Sequence, residues 1–80
     1  MKNLKKFEAC LLGDIVMHEF RERYDRELYR AIIVEIDYDL ATVVAISEDE
    51  KGYYYQGLED KVPIGRLKKV GRMEDYGLSF

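Results

Sequence analysis

Histidine and cysteine each occur once, at His18 and Cys10. A histidine acting as a general base wants a carboxylate to orient it. Its neighbour Glu19 projects to the opposite face of a strand and does not serve. His18 is therefore read first as a strand residue and only second as a catalyst. Cys10 sits among Ala9, Leu11 and Leu12, which points to a buried, unreactive thiol. One histidine and one cysteine do not make a zinc site within one chain, so no metal is expected. The six glycines are scattered as turn punctuation and form no phosphate-binding loop, and no cofactor is expected.

Binding chemistry is better represented. Arg21–Glu27 reads R-E-R-Y-D-R-E, with six charges in seven residues and no apolar periodicity. It reads as a surface loop, or as one helical turn, and it offers Arg21, Arg23, Tyr24 and Arg26 to a partner. Tyr53, Tyr54 and Tyr55 are consecutive. In a strand, Tyr53 and Tyr55 share one face and Tyr54 takes the other. One face packs the core, so at least one ring is left for an interface, where tyrosine gives large contact area at low entropic cost. Filling a small core with hydroxyls at its rim is the equal alternative. Stacking on unpaired bases is the third.

Charge is mixed. Lys and Arg number 13, Asp and Glu 16, for a net −3 and a pI near 5.1. That is a poor match to a general nucleic-acid binder, which needs a basic surface. Local patches survive the average: Lys2, Lys5 and Lys6, and again Arg66, Lys68, Lys69 and Arg72. Glu48-Asp49-Glu50, Glu59-Asp60 and Glu74-Asp75 are read as solvated turns. A single cysteine allows no internal disulfide. No stretch approaches the ~20 apolar residues of a membrane span, and Gly13-Asp14 ends the short apolar run Ala9–Leu12. A cytoplasmic protein without membrane contact is expected.

The elements that must carry these residues are short strands. Tyr29–Ser47 contains two β-rich runs, Ala31–Ile36 and Ala41–Ile46, separated by Asp37-Tyr38-Asp39-Leu40. Branched Ile and Val suit a pleated surface, and Asp suits a tight reversal. Ile32, Val34 and Ile36 are assigned inward and Glu35 outward, with Val44 and Ile46 completing the core. Ile15–Phe20 is the first strand. Tyr53–Gln56 is the fourth, followed by a polar connection over 57–61. Pro63 has no N–H to donate, so Val62–Gly65 is not a central strand but the start of a helical turn. Leu67–Val70 is the last strand. Residues 1–12 form a short helical or extended lead-in. Met73, Tyr76, Leu78 and Phe80 leave an apolar tail over 71–80, which favours a homodimer if nothing within the chain covers it.

Eighty residues with turn signals every eight to twelve positions make one small all-β domain. The order is a Gly-Asp-led first strand, a long charged loop, a central hairpin and a Pro-containing turn before the last strand. It resembles the Src-homology-three-like small barrels, over about residues 13–70, and implies five strands. In such barrels the long loop after the first strand often walls a binding groove. A second resemblance rests on Gly13-Asp14-Ile15-Val16, Phe20, Arg30-Ala31-Ile32-Ile33-Val34 and Val43-Val44-Ala45-Ile46-Ser47. This looks like the strand pattern of the MazF/PemK toxins, endoribonucleases on a related barrel. It implies Arg30 and Ser47 as acid/base and phosphate-stabilising groups.

The reading that best fits these residues is a non-catalytic interaction module in a regulatory or inhibitory role, as in small phage-type proteins. It would bind a protein partner through the charged loop and the tyrosines. The alternatives are the endoribonuclease and a nucleic-acid-binding barrel that does not cleave.

Overall fold

The computed structural model describes residues 10–79. The proposed lead-in falls mostly outside them, and Cys10–Leu12 is not helical. Five strands form one antiparallel sheet: β1 (Asp14–His18), β2 (Tyr29–Asp37), β3 (Leu40–Asp49), β4 (Gly52–Pro63) and β5 (Lys69–Arg72). Their order across the sheet is β4-β3-β2-β1-β5. Short 3-10 turns follow β4 (Ile64–Arg66) and β5 (Met73–Tyr76). The protein is all-β with five strands. No ladder joins β4 to β5 among the described residues, so the hydrogen-bonded sheet is open rather than a closed barrel. No helix among these residues is long and apolar enough to cross a membrane.

The central hairpin forms where the branched residues direct it. Asp37 pairs with Leu40 across the two-residue turn Tyr38-Asp39. Tyr38 takes φ 56°, a left-handed conformation, and is 97% exposed. The second hairpin is equally tight. Asp49 pairs with Gly52, and Lys51 N–H donates to Asp49 Oδ1 at 2.8 Å.

Both faces of the sheet are buried, so the assignment of one inward face to Ile32, Val34 and Ile36 needs correction. Ala31, Ile32 and Ile33 are all fully buried. The inner cluster contains Cys10, Val16, Phe20, Ala31, Ile33, Val43, Ala45, Val62 and Leu67. The outer cluster contains Ile15, Ile32, Ile46 and Leu78, with Val34, Val44, Tyr53, Met73 and Tyr76 against it. A bulge at Val34 explains the shuffle. Ile33 faces Val43, but Glu35 already faces Thr42 and Ile36 faces Ala41. The extra residue turns Glu35 to the outer side and Ile36 to the inner one.

The tail covers the outer face. Leu78 is buried there, and its N–H donates to Met73 O at 2.9 Å. Arg72 Nη1 lies 2.7 Å from the buried Asp14 carboxylate, tying β5 to β1. Gly71 lets the Tyr76 ring lie against the strand. A Cβ there would be 3.1 Å from Cε1 of Tyr76. The apolar tail that argued for a homodimer therefore folds onto its own chain over Met73, Tyr76 and Leu78; Phe80 lies outside the described residues.

Two strand assignments also shift. β4 runs from Gly52 to Pro63 without the connection expected over 57–61. Ile46 pairs with Tyr55 but Val44 with Glu59, so two residues of β4 bulge out around Gly57, whose φ is +91°. Leu58 then returns to the inner cluster. Pro63 is tolerated because β4 is an edge strand. β5 lies two residues later than the expected Leu67–Val70.

Candidate functional site

Alternation along the second arm of β4 sends Leu58, Asp60 and Val62 to the inner side. Leu58 and Val62 are apolar and pack the core. Asp60 is the charged member of the series and is only 8% exposed. The sheet curls enough to bring it to β1, although β3 and β2 lie between these strands in the hydrogen-bonded order. His18 Nε2 lies 2.8 Å from Asp60 Oδ2, and the Arg21 backbone N–H donates to the same oxygen at 3.1 Å. The Phe20 ring meets the His18 ring edge-on, with centroids 4.6 Å apart.

Burial by itself would raise the Asp60 pKa. The His18 hydrogen bond, the Arg21 N–H and the charges of His18 and Arg21 outweigh it and hold the carboxyl below its usual range. An ionised carboxylate only accepts hydrogen bonds, so Nε2 must carry the proton in this pair. In the neutral imidazole, Nδ1 is then the atom able to accept one.

A cleft of about 380 Å³ adjoins the pair. It is lined by His18, Glu19 and Arg21 from the end of β1 and by Lys61, Val62, Pro63 and Arg66 from the end of β4 and the turn after it. Lys61 and Arg66 are exposed and have no salt-bridge partner among the described residues. Arg21 Nε is 3.9 Å from Asp60 Oδ1, and its side chain is 78% exposed. Among the described residues, no serine, threonine or cysteine lines the cleft.

The charged loop that follows Arg21 is held by its own residues. The Tyr29 hydroxyl donates to Asp25, Arg23 Nη2 lies 3.2 Å from Asp25, and Glu27 N–H donates to Asp25 at 3.2 Å. The Tyr29 hydrogen bond, followed by the Glu27 N–H, lowers the Asp25 pKa; the same bond raises that of Tyr29. Arg23 lies over the Tyr29 ring, 5.1 Å from its centroid. Tyr24 projects into solvent at 94% exposure, and Arg26 holds φ 58°. Of the loop residues expected to bind, Arg21 alone lines the cleft. Arg23 is committed to loop structure, while Tyr24 and Arg26 are exposed.

The tyrosines divide as strand alternation requires. Tyr55 faces Ile46 and Tyr53 faces Glu48 on the outer side; Tyr54 faces Ser47 on the inner side. Tyr53 packs edge-on against Tyr76 at 4.6 Å. The Tyr55 hydroxyl donates to Ser79 O at 3.0 Å. Two of the three therefore brace the tail. Tyr54 and Tyr55 remain 45% and 41% exposed.

Arg30 and Ser47 are not brought together. Arg30 lies 5.8 Å from the centroids of both Tyr53 and Tyr76, on the outer face. Ile46 packs in the outer cluster, so its neighbour Ser47 on β3 takes the inner face. The sheet itself separates these two side chains. Cys10 is buried as expected, and burial raises its thiol pKa.

Asp60 is the residue that sequence reasoning missed, because 42 positions separate it from His18. The available signal was the period-two series Leu58-Asp60-Val62, in which a carboxylate occupies a core position. Comparisons with protein-family models, curated proteins and solved structures returned no match.

Proposed function

We propose that this chain is a non-catalytic protein-interaction module on a Src-homology-three-like scaffold, and that it receives its partner in the cleft between the charged loop and the turn at 64–66. The observation that carries this reading is the cleft itself. His18, Glu19 and Arg21, where the chain leaves β1, form one side, and Lys61, Val62 and Pro63 with Arg66 of the 3-10 turn form the other; the Arg21 N–H is fixed on Asp60. Preorganised walls reduce the entropy lost on binding. The cleft also combines apolar surface at Val62 and Pro63 with cationic groups, as recognition sites commonly do.

A photo-crosslinking amino acid at position 66, with a control at position 38, tests this in cells of the native host. The expected result is a protein captured from position 66 alone, whose purified form loses affinity for the Arg21→Ala/Arg66→Ala variant. Capture of nucleic acid only, or an affinity indifferent to both substitutions, refutes the reading.

A second reading has one specific observation behind it. A carboxylate-oriented imidazole beside Arg21, Lys61 and Arg66 has the groups that metal-free cleavage of RNA through its own 2′-hydroxyl requires. RNA incubated in a chelator with the wild-type protein and with His18→Ala separates the two readings. Cleavage lost in His18→Ala supports the enzyme; intact RNA removes it.

A further inference from the structure

The protein carries a net charge of −3, yet the cleft has the opposite sign. Arg21, Lys61 and Arg66 line it against Glu19. The nearby Asp60 carboxylate is already engaged by His18 and the Arg21 N–H. Three cations lining one cleft attract an entering anion, and two of them, Lys61 and Arg66, are exposed and have no acidic partner among the described residues. Arginine and lysine differ in what they offer: a planar fork for a carboxylate from Arg21 and Arg66, and a mobile point charge from Lys61.

The surroundings limit how long that anion can be. Exposed Glu19 lines the cleft itself, and exposed Glu59 lies on the outer side of β4. Glu48-Asp49-Glu50 and Glu74-Asp75 occupy turns elsewhere. A polyphosphate chain, with a charge at every nucleotide, extends beyond three cations onto a protein whose net charge is −3, which opposes it. A short acidic stretch of polypeptide places its charges locally and can rest its aliphatic parts on Val62 and Pro63.

We infer that the cleft formed by His18, Arg21, Lys61, Pro63 and Arg66 binds an acidic segment of a partner protein, with a Glu or Asp carboxylate held between the cations. This rests on the interaction-module reading and specifies the partner's chemistry. Asp60 is a positioning residue, because its bond to the Arg21 N–H fixes where the loop leaves β1.

The test uses the full chain and fluorescein-labelled hexaglutamate, hexaglutamine and hexauridylate in anisotropy titrations, at about 20 mM and about 150 mM ionic strength. Hexaglutamate is expected to bind more tightly than the other two and to weaken with salt. Lys61→Gln and Arg66→Gln should each weaken it roughly threefold to tenfold. Lys51→Gln, in the β3–β4 turn, should leave it unchanged. Circular dichroism verifies that the variants keep the fold. Hexaglutamate binding no better than hexaglutamine overturns the inference, as does equal binding by the Lys61 and Arg66 variants. Tighter hexauridylate binding assigns the cleft to nucleic acid and also overturns it. If these titrations fail while the crosslinked protein still requires Arg21 and Arg66, only the acidic character of the ligand is lost and the module reading stands.

Discussion

Replacing Asp60 by alanine removes a nearly buried carboxylate that accepts from His18 Nε2 at 2.8 Å and from the Arg21 N–H at 3.1 Å. Both donors end on an ionised carboxylate, and a hydrogen bond to a charged group contributes about 1.5–3 kcal/mol. The variant should therefore lose about 3–6 kcal/mol, against a total of roughly 4–12 kcal/mol for a chain of this size. The melting temperature should fall by at least roughly 12 °C. His18→Ala loses the shared bond and also the edge contact with Phe20, which adds about 0.5–1.5 kcal/mol. Because one bond is common to both residues, the double variant should be less destabilised than the sum, with a coupling of about 1–2 kcal/mol.

Urea titrations followed by circular dichroism measure these differences; the seven tyrosines and absence of tryptophan make tyrosine fluorescence a second probe. The pH dependence has a defined sign. The folded Asp60 pKa is lowered, so its stabilisation is complete above the unfolded value near ~3.9 and is lost as pH falls through the folded value. The gap between wild type and Asp60→Asn should shrink over that acidic interval. Strictly additive single effects, within about 0.5 kcal/mol, would refute the His18–Asp60 link as the connection between β1 and β4.

Other perturbations probe separate parts of the molecule. Leu78→Ala uncovers Ile15, Ile32 and Ile46 and should cost about 2 kcal/mol by urea titration. Gly71→Ala meets the Tyr76 ring and should speed hydrogen exchange of the Leu78 amide. Tyr38→Asn relieves a left-handed conformation at an exposed site; a gain of about 0.5–1 kcal/mol in urea is expected. Cys10, buried with a raised thiol pKa, should react with a thiol reagent at the rate of unfolding, and at full speed only in denaturant.

The hairpin of β2 and β3 was legible because alternation and branched side chains agree there. Its two-sided burial was not, since the cover over the outer face comes from Met73, Tyr76 and Leu78, far along the chain. Residues 57–61 looked like a connection because glycine and charge dominate them. The bulge at Gly57 keeps them in the strand, and pairing with β3 outweighs composition. The loop was visible as a charged surface, but its pinning by Asp25 was not, because Asp25 reads as one more solvated charge. The pair at the cleft escaped for a geometric reason. Glu19 is adjacent to His18 and lines the same cleft, but the carboxylate bonded to the imidazole is Asp60, which reaches it through the curl of the whole sheet.

The position of β5 bears on the order in which the chain folds. Strands β1 to β4 are sequential neighbours, and each joins the next through a turn or one loop. β5 must instead reach β1 across the sheet, as the Asp14–Arg72 bond shows over 58 positions. Formed from an open chain, that contact would carry a closure entropy of about 3–4 kcal/mol. Once β1–β4 have curled and Asp60 has met His18, only the short link over 64–68 remains to be closed. Docking of β5 and its tail should thus follow the rate-limiting step. Substitutions at Arg72 or Leu78 would then accelerate unfolding and leave the folding rate nearly unchanged, whereas those at Ile33 or Val43 would slow folding.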